Sequence, residues 1–427
     1  MAGGKGTRVL ALTNDEIPKP MLSICGKPIL EHQIDVLKKH GITDITLVVG
    51  HRSSAISNYF LDGAGFGVSI EYIEEELPLG TAGALYYLRN RVHDDFFLVY
   101  GDIIYDIDMT KMLEFHRQKH SVVTLFVHPN SHPYDSDLVV LDSNDRVVRL
   151  DSKTNTRNYY FDNYVNAGIF LLSPDVLPYV SEPTSTDLER DVITRLIHSS
   201  KVFGYRSPEY VRDLGTPERI RDAESDIMTG IVTSRNLSLP QKCIFVDRDG
   251  TLNQYRDFIY HESQFQLEEG TLDAVRAINQ SKYLCIVVTN QPVVARGLCT
   301  VDDVDQIHRK MKTLLGNQGA YLDDVLYCPH HPDLGYPEEN RVYKIDCKCR
   351  KPKTGMLQLA AQMYNIDLSQ SWIIGDTTVD IQTGIAAGMK TVLVQTGQRG
   401  MDGKYDVKPD ITSRNLFEAV QTIIQLS

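Results

Sequence analysis

CIFVDRDGTLN, residues 243–253, joins a short apolar run to two carboxylates. The run Cys243–Val246 ends on Asp247, and Asp249 and Gly250-Thr251 follow. This pattern predicts a buried parallel strand that delivers acidic groups to its carboxyl end, where open α/β sheets bind ligands. Asp247 is an oxygen ligand for Mg²⁺ and a candidate nucleophile, and Asp249 is placed to be a general acid. By itself a DxDG tetrapeptide reads equally well as a surface turn. Its partners later in the chain separate the two readings, and its position divides the sequence in half.

A chain of 427 residues predicts two domains, each large enough for its own core. Hydrophobic content of 42% and charged content of 23% are ordinary for a globular protein. A net charge of −12 argues against partners such as nucleic acid or an anionic membrane. Phosphate substrates would therefore need Mg²⁺ and locally placed Arg and Lys. No apolar run approaches a membrane span and the start lacks a signal-peptide pattern, so the expected location is cytoplasmic. Seven cysteines do not pair evenly, and three of them cluster with histidines, as metal ligands do.

Apolar runs alternate with helical patterns in both halves. Runs at Ile45–Val49, Phe96–Tyr100, Val122–Val127 and Ala167–Leu172 flank helices such as Ile29–His40 in the first. Those at Cys243–Val246, Leu284–Val288, Val325–Tyr327, Trp372–Ile374 and Thr391–Val394 make up the second. Both halves read as α/β. A helix over Arg219–Met228 and the polar stretch TGIVTSRNLSLPQK place the seam: domains over 1–232 and 242–427, with a linker at 233–241.

The chain opens MAGGKGTR and then carries IPKPM (17–21), LGTAGAL (79–85), Gly101-Asp102 and NAGIF (166–170). A glycine-rich loop lets backbone N–H groups approach a triphosphate, and Lys5 and Arg8 can neutralise it. In this order, over about residues 1–230, the motifs resemble the sugar-1-phosphate nucleotidyltransferases. The resemblance implies a mixed GT-A-like sheet in which Gly3, Gly4, Gly6 and Arg8 hold the nucleotide phosphates. It places Lys19 against the phosphate of the sugar phosphate, and Gly80 and Thr81 along the base pocket. Asp102 and Asp213 would bind Mg²⁺, and Asn166 and Gly168 would contact the sugar. The reaction needs alignment and charge neutralisation but no protein nucleophile. Two departures stand out. The family has an apolar strand directly before the glycine loop where this chain has Met1, which predicts a start upstream of Met1. The family's sugar-contacting Glu-Lys pair is Ser152-Lys153 here, so Lys153 remains a candidate and the carboxylate is missing.

After DRDGT come VVTNQ, CRKPKTGM (349–356) and IIGDTTVDI (373–381). This series resembles the haloacid dehalogenase superfamily of phosphatases over about residues 242–427. It implies Asp247 as nucleophile, Asp249 as acid and base, and Thr289 and Asn290 as phosphoryl ligands. Lys351 would neutralise charge, and Asp376 would hold Mg²⁺ with Asp247 and the carbonyl of Asp249. Asp380 would orient the metal's shell or cap its helix. Between these motifs, Cys328-x-His330 and Cys347-x-Cys349 offer the four ligands of a closed zinc site, with His331 a rival for His330. Such a zinc would pin the polar loop 333–346 beside Arg350 and stay out of the chemistry. CPHH with CKCRKPKTGM narrows the resemblance to heptose bisphosphate and histidinol-phosphate phosphatases, with Arg350 on the substrate's second phosphate. Pro292-Val293-Val294 departs from the family's usual Ser-Gly-Ile/Val.

Together the halves resemble fusions of a heptose 1-phosphate guanylyltransferase with a heptose bisphosphate phosphatase. The implied sequence is removal of the 7-phosphate of D-glycero-D-manno-heptose 1,7-bisphosphate, followed by transfer of GMP from GTP. The expected partners are sugar phosphates and GTP. One alternative keeps the chemistries and changes the substrates to mannose or glucose 1-phosphate and histidinol phosphate. Another is a regulatory or scaffold protein with an inactive first half, suggested by Met1 and Ser152.

Overall fold

The computed structural model describes residues 1–2, 17–50, 52–199, 201–335 and 337–426, in two compact units. The first comprises Met1–His128, Asp137–Ser152 and Tyr164–Ser238. The second comprises Pro129–Ser136, Lys153–Asn163 and Leu239–Ser427. The division at Ser238/Leu239 falls inside the stretch expected to be a linker. Arg235, Asn236 and Leu237 are buried there, with Leu237 N–H donating to Glu209 Oε1 (2.9 Å), so this is ordered chain rather than open tether.

In the first unit, helix α1 (Ile29–Lys39) buries Ile29, Leu30, Gln33 and Ile34, one face at helical spacing. Strands β1 (Asp44–Val49) and β2 (Ser69–Glu74) pair in parallel. Next come β3 (Phe96–Val99), β4 (Ile103–Asp106), β5 (Val123–His128), β6 (Leu138–Leu141), β7 (Val147–Asp151), β8 (Val165–Leu172), β9 (Val202–Arg206) and β10 (Tyr210–Asp213). Five of these run in the order β9-β5-β8-β6-β7, and β3 also pairs with β8. Only the β9–β5 pair in this sheet is parallel, so the sheet is mixed. Strand β8 is its hub because VNAGIFLL is apolar on both faces, and the strand is buried along nearly its whole length. Helix α2 (Pro217–Met228) starts at Thr216, whose hydroxyl accepts from Arg219 N–H.

Among the described residues, Met1-Ala2 bridges the facing edges of β1 and β3. Ala2 N–H donates to Val48 O (2.8 Å), the Met1 amine to Val99 O (2.8 Å), and Gly101 N–H to Met1 O (2.9 Å). Beside them lies a cavity of about 770 Å³ lined by Leu37, Ile45, Leu47, Phe97, Val99 and Leu113 among others. Among the described residues no strand fills this slot.

The second unit is an all-parallel sheet in the order β13-β12-β11-β14-β15-β16. Its strands are β11 (Lys242–Val246), β12 (Tyr283–Asn290), β13 (Asp324–Cys328), β14 (Trp372–Gly375), β15 (Lys390–Val394) and β16 (Ile411–Ser413). Helices α3 (Thr271–Asn279), α4 (Val301–Gly316), α5 (Gly355–Tyr364), α6 (Thr378–Ala386) and α7 (Leu416–Gln425) supply the crossovers and cover. Ile244, Val246, Cys285, Val287 and Ile374 pack with α3, α4 and α7 in one core, which also accounts for Cys285 as a small hydrophobe. Segment 153–163 joins this unit through α4: Phe161 N–H donates to Thr313 Oγ1 (2.9 Å) and Lys312 Nζ to Asp162 Oδ1 (2.7 Å). No helix among the described residues is long and apolar enough to cross a membrane.

Phe245 is fully buried on the central strand, whereas Leu359 on α5 is 47% exposed. Phe245→Ala is expected to destabilise the second unit by about 3–5 kcal/mol and Leu359→Ala by less than about 1 kcal/mol in urea unfolding.

Candidate active sites

The second unit gathers its chemistry at the carboxyl ends of β11 and β14, neighbours in the sheet centre. Asp247 follows β11 directly and Asp376 follows β14 directly, so the parallel register brings the two together. Asp380 reaches the same point from the first turn of α6. There it forms a capping box with Thr377, accepting from its hydroxyl (2.5 Å). Lys351 completes the group: its Nζ donates to Asp247 Oδ1 (2.6 Å), Asp380 Oδ1 (2.6 Å) and Val288 O (2.9 Å). All four side chains are buried.

One ammonium faces three carboxylates, and the imbalance shows in their protonation. Burial, opposed by Lys351 and reinforced by Asp380 and Asp249, pushes Asp247 up to about 7. Burial and the neighbouring Asp247 and Asp380 push Asp376 up to about 8. Burial works against the charge of Lys351, but Asp247 and Asp380 outweigh it and hold the ammonium well above its ordinary range.

Asp247, Asp376 and Asp380 offer oxygens within 4.8 Å of one another. Asp376 Oδ2 accepts from Gln398 N–H (2.7 Å), while its Oδ1 is buried without a hydrogen-bond partner. Gly250 and Gly397 lie so close that a Cβ on either would come within 2.3 Å of Asp376 Oδ2. Three hard oxygen donors, one orphaned, in a cradle walled by glycine suit a divalent cation such as Mg²⁺. The third carboxylate of this cluster is Asp380. The Asp249 carboxylate is engaged elsewhere, by Arg248, Gln291 and Asn253.

Thr289 lies buried at the end of β12 and accepts from Gln291 Nε2 (2.9 Å). Asn290, expected on the phosphoryl group, brackets the Lys351 peptide instead: its Oδ1 accepts from Lys351 N–H (3.0 Å) and its Nδ2 donates to Lys351 O (3.1 Å). In this arrangement it positions the lysine.

The four ligands expected for zinc do converge. Cys328, Cys347 and Cys349 have Sγ–Sγ distances of 3.4, 3.3 and 3.2 Å. His330 Nδ1 lies 3.4 Å from Cys349 Sγ and 3.7 Å from Cys328 Sγ. These are edges of a tetrahedron slightly tighter than the ~3.7 Å that Zn–S bonds of ~2.3 Å would set. The geometry selects His330 over His331, whose Nδ1 accepts from Asp333 N–H (3.2 Å). Arg350 is tied to the cluster, its N–H to Cys347 Sγ (3.3 Å) and its Nη1 to His330 O (3.1 Å).

In the first unit, Gly3, Gly4, Gly6 and Arg8 lie outside the described residues. Asp102 sits on the turn between β3 and β4, which the buried Gln33 of α1 fixes by donating to Tyr100 O (2.9 Å) and Ile103 O (2.8 Å). The β4–β10 ladder places Asp213 opposite Ile103, and Leu214 N–H donates to Asp102 O (3.0 Å), so the two aspartates occupy adjacent backbone positions. Each carboxylate meets a cation: Lys19 Nζ is 2.7 Å from Asp102 Oδ2, and Arg219 Nη1 is 2.6 Å from Asp213 Oδ1.

Asn166 and Gly168 stand at an irregularity in the β8–β5 register between Asn166 and Phe170. Gly168 has φ of +76° and would meet the Tyr100 ring with any Cβ. Asn166 Nδ2 donates to Glu189 Oε1 (2.9 Å), and the Tyr100 hydroxyl to Glu189 Oε2 (2.9 Å). Burial raises Glu189 to about 7. Gly80 packs against Thr186 O and Thr81 Oγ1 accepts from Leu188 N–H (2.7 Å), so both brace the segment that delivers Glu189. Lys153 belongs to the second unit, 3.6 Å from Asp135 Oδ1.

The sequence reading missed Arg248, Gln291, His308 and Glu189. None carried a local signal: Arg248 lies past the end of the expected strand Cys243–Val246, where a charged residue reads as an exposed turn position. Cys243 is buried as expected, Cys25 is exposed, and Cys299 is half-buried.

Residues 1–230, more than half of the chain, match the Nucleotidyl transferase family, and residues 348–419 match the HAD-hydrolase-like family. Mannose-1-phosphate guanylyltransferase of Mycobacterium tuberculosis is 32% identical over 237 residues, which cover 55% of this chain. This chain spans 65% of the length of that relative. D-glycero-beta-D-manno-heptose-1,7-bisphosphate 7-phosphatase of Haemophilus influenzae is 41% identical over 158 residues, 37% of this chain and 83% of that protein. Among solved structures, the D,D-heptose 1,7-bisphosphate phosphatase of B. bronchiseptica with magnesium and phosphate is 30% identical. It aligns over 44% of this chain and 100% of that one with a TM-score of 0.39. The chain thus belongs to the nucleotidyl transferase family through its first half and to the HAD-like phosphatases through its second.

Proposed function

We propose that the chain removes the 7-phosphate of D-glycero-D-manno-heptose 1,7-bisphosphate and transfers GMP from GTP to the resulting heptose 1-phosphate, releasing GDP-heptose and pyrophosphate. The observation that carries the reading is Lys351 clamped between Asp247 and Asp380 beside the orphaned Asp376 oxygen. The identity to heptose bisphosphate phosphatases supports the substrate.

In the phosphatase step, an Asp247 oxygen attacks phosphorus and the P–O bond to carbon 7's oxygen breaks. Asp249 gives its proton to that oxygen, so the sugar leaves as an alcohol. Asp249 then takes a proton from water, whose oxygen attacks phosphorus and displaces Asp247, giving inorganic phosphate. Thr289 binds the phosphoryl group, Asn290 aligns Lys351, and Lys351 favours the anionic, attacking form of Asp247 against the effect of burial. Arg350 holds the remaining phosphate. Mg²⁺ on Asp247, Asp376 and the Asp249 carbonyl, within reach of Asp380, would supply charge neutralisation to the phosphoryl oxygens. Zinc on Cys328, His330, Cys347 and Cys349 would fix the loop that carries Arg350.

In the transferase step, an oxygen of the sugar 1-phosphate attacks the α-phosphorus of GTP and the bond to pyrophosphate breaks. Lys19 steadies the attacking phosphate, Asp102 and Asp213 serve as the Mg²⁺ ligands, and Arg8 with Gly3, Gly4 and Gly6 receives the triphosphate. Gly80 and Thr81 shape the base pocket, and Asn166 and Gly168 orient the sugar.

Mass analysis of a reaction containing heptose 1,7-bisphosphate, GTP and Mg²⁺ should find phosphate, pyrophosphate and GDP-heptose. Asp247→Asn should stop phosphate release and leave pyrophosphate release from supplied heptose 1-phosphate within about threefold of wild type. Faster turnover of histidinol phosphate, or loss of both activities in Asp247→Asn, contradicts the reading.

The raised carboxylates fix a pH dependence. Between the unfolded value near ~4 and the folded values of Asp247 and Asp376, about 7 and about 8, the native state holds protons that the unfolded chain has released. Stability of chelator-treated protein should therefore fall as pH rises from 5 to 8 (about three pH units), and Mg²⁺ should raise Tm more at pH about 8 than at about 6. Calorimetric scans with EDTA or Mg²⁺ check this. For the thiolate cluster, Cys349→Ser should abolish the zinc measured by atomic emission and lower the Tm of the second unit by at least about 5 °C.

A further inference from the structure

Arg248, between the two aspartates of DRDG, has no exposed surface, an unusual place for a guanidinium unless its charge is met. Its fork closes on Asp249: Nη2 lies 2.8 Å from Oδ2 and 3.0 Å from Oδ1, and Nε 3.2 Å from Oδ1. Nη2 also donates to Gln291 Oε1 (2.8 Å), and Nη1 faces His308 Nε2 (3.1 Å). Burial and the adjacent guanidinium keep His308 neutral, so that nitrogen accepts. Gln291, also buried, turns its amide nitrogen to Asp249 Oδ2 (2.7 Å) and to Thr289 Oγ1 (2.9 Å). Asn253 Nδ2 adds a third donor to Oδ1 (3.2 Å). The backbone turn is closed by Leu252 and Asn253 N–H groups donating to Arg248 O (2.9 and 3.0 Å).

Every side chain in this set but one is fully enclosed. The exception is the Asp249 carboxylate, 25% exposed and linked through Gln291 to the expected phosphoryl ligand Thr289. A buried Arg could be anchored by any carboxylate; here it is anchored by the one whose direction matters for proton transfer. Its planar fork fixes both the position and the plane of that carboxylate, which a lysine's point charge would not do.

We propose that Arg248, Gln291 and His308 form a clasp that orients Asp249 toward the leaving oxygen, with Arg248 and Gln291 as positioning residues for proton transfer in the phosphatase reaction. The inference rests on Asp249 being the acid of the preceding section. In the first step the P–O(alkyl) bond breaks as Asp247 bonds phosphorus, and the Asp249 proton moves to the departing oxygen. Misaiming Asp249 therefore slows a poor leaving group, which needs that proton. A nitrophenolate, which departs without one, is spared.

The test is the single-turnover rate of alcohol release by the Mg²⁺-loaded full chain from heptose 1,7-bisphosphate and from 4-nitrophenyl phosphate. Arg248→Lys and Gln291→Met are compared with Asp249→Asn. With the sugar substrate, both positioning variants should lose about ten- to hundred-fold in rate with KM within about threefold. With 4-nitrophenyl phosphate they should lose less than about threefold. Equal losses on the two substrates, or no loss on either, would overturn the clasp. If Asp249→Asn itself shows no leaving-group dependence, the acid assignment falls; if only the positioning variants lack it, this inference falls alone. Gln291→Met leaves the guanidinium in place and decides the matter should Arg248→Lys fail to fold.

Discussion

A single buried ammonium held against three buried carboxylates is the constraint on which the second unit depends. Lys351 bonds Asp247 and Asp380 directly, and Asp376 keeps one oxygen without a protein partner. Burying charge in this way costs several kcal/mol per ion unless partners compensate. The compensation is incomplete by design of the donor set, and a divalent cation with a phosphoryl group would complete it. The same deficit holds Asp247 and Asp376 above the usual carboxylate range. Ligand binding and protonation are thus alternative ways to settle one local excess of negative charge.

The fold supplies that excess through register. Strands β11 and β14 are adjacent and parallel, so residues just past their ends meet without any long loop. Asp380 comes from a helix turn fixed by its own cap, and Lys351 from a loop tied down on one side by Asn290 and on the other by the thiolate cluster. Each group rests on a rigid element or on two separate restraints. The first unit uses a different device. There a bulged, buried strand and a buried glutamine set the turn at Asp102 and the amide of Asn166. The proposed transfer would ask for alignment of two phosphates, which cationic and hydrogen-bonding groups can supply.

Much of this was legible in the sequence. Apolar runs of three to five residues marked five of the six strands of the parallel sheet to within two residues at each end, because a strand buried on both faces shows as a continuous apolar run. The short edge strand β16 carried no such run. Cys-x-His and Cys-x-Cys predicted the Cys/His cluster, since a one-residue spacing lets two side chains of one segment converge on a point. Spacing could not choose between His330 and His331; only the backbone path after β13 does so. The family resemblance implies Thr289 and Asn290 together as phosphoryl ligands, but the Asn290 side-chain amide is engaged by the Lys351 peptide, a pairing 61 residues apart that no local pattern announces. The Arg248 clasp joins residues 248, 249, 253, 291 and 308, and Glu189 meets Asn166 across the first unit. Such long-range pairings leave no periodic trace.

The most direct measurement is acid-quenched peptide mass spectrometry of the protein after mixing with heptose 1,7-bisphosphate and Mg²⁺. The account predicts a phosphoryl group on the peptide containing Asp247, absent in Asp247→Asn. Phosphate release at the wild-type rate by Asp247→Asn, or a phosphoryl group found on another residue, would contradict it.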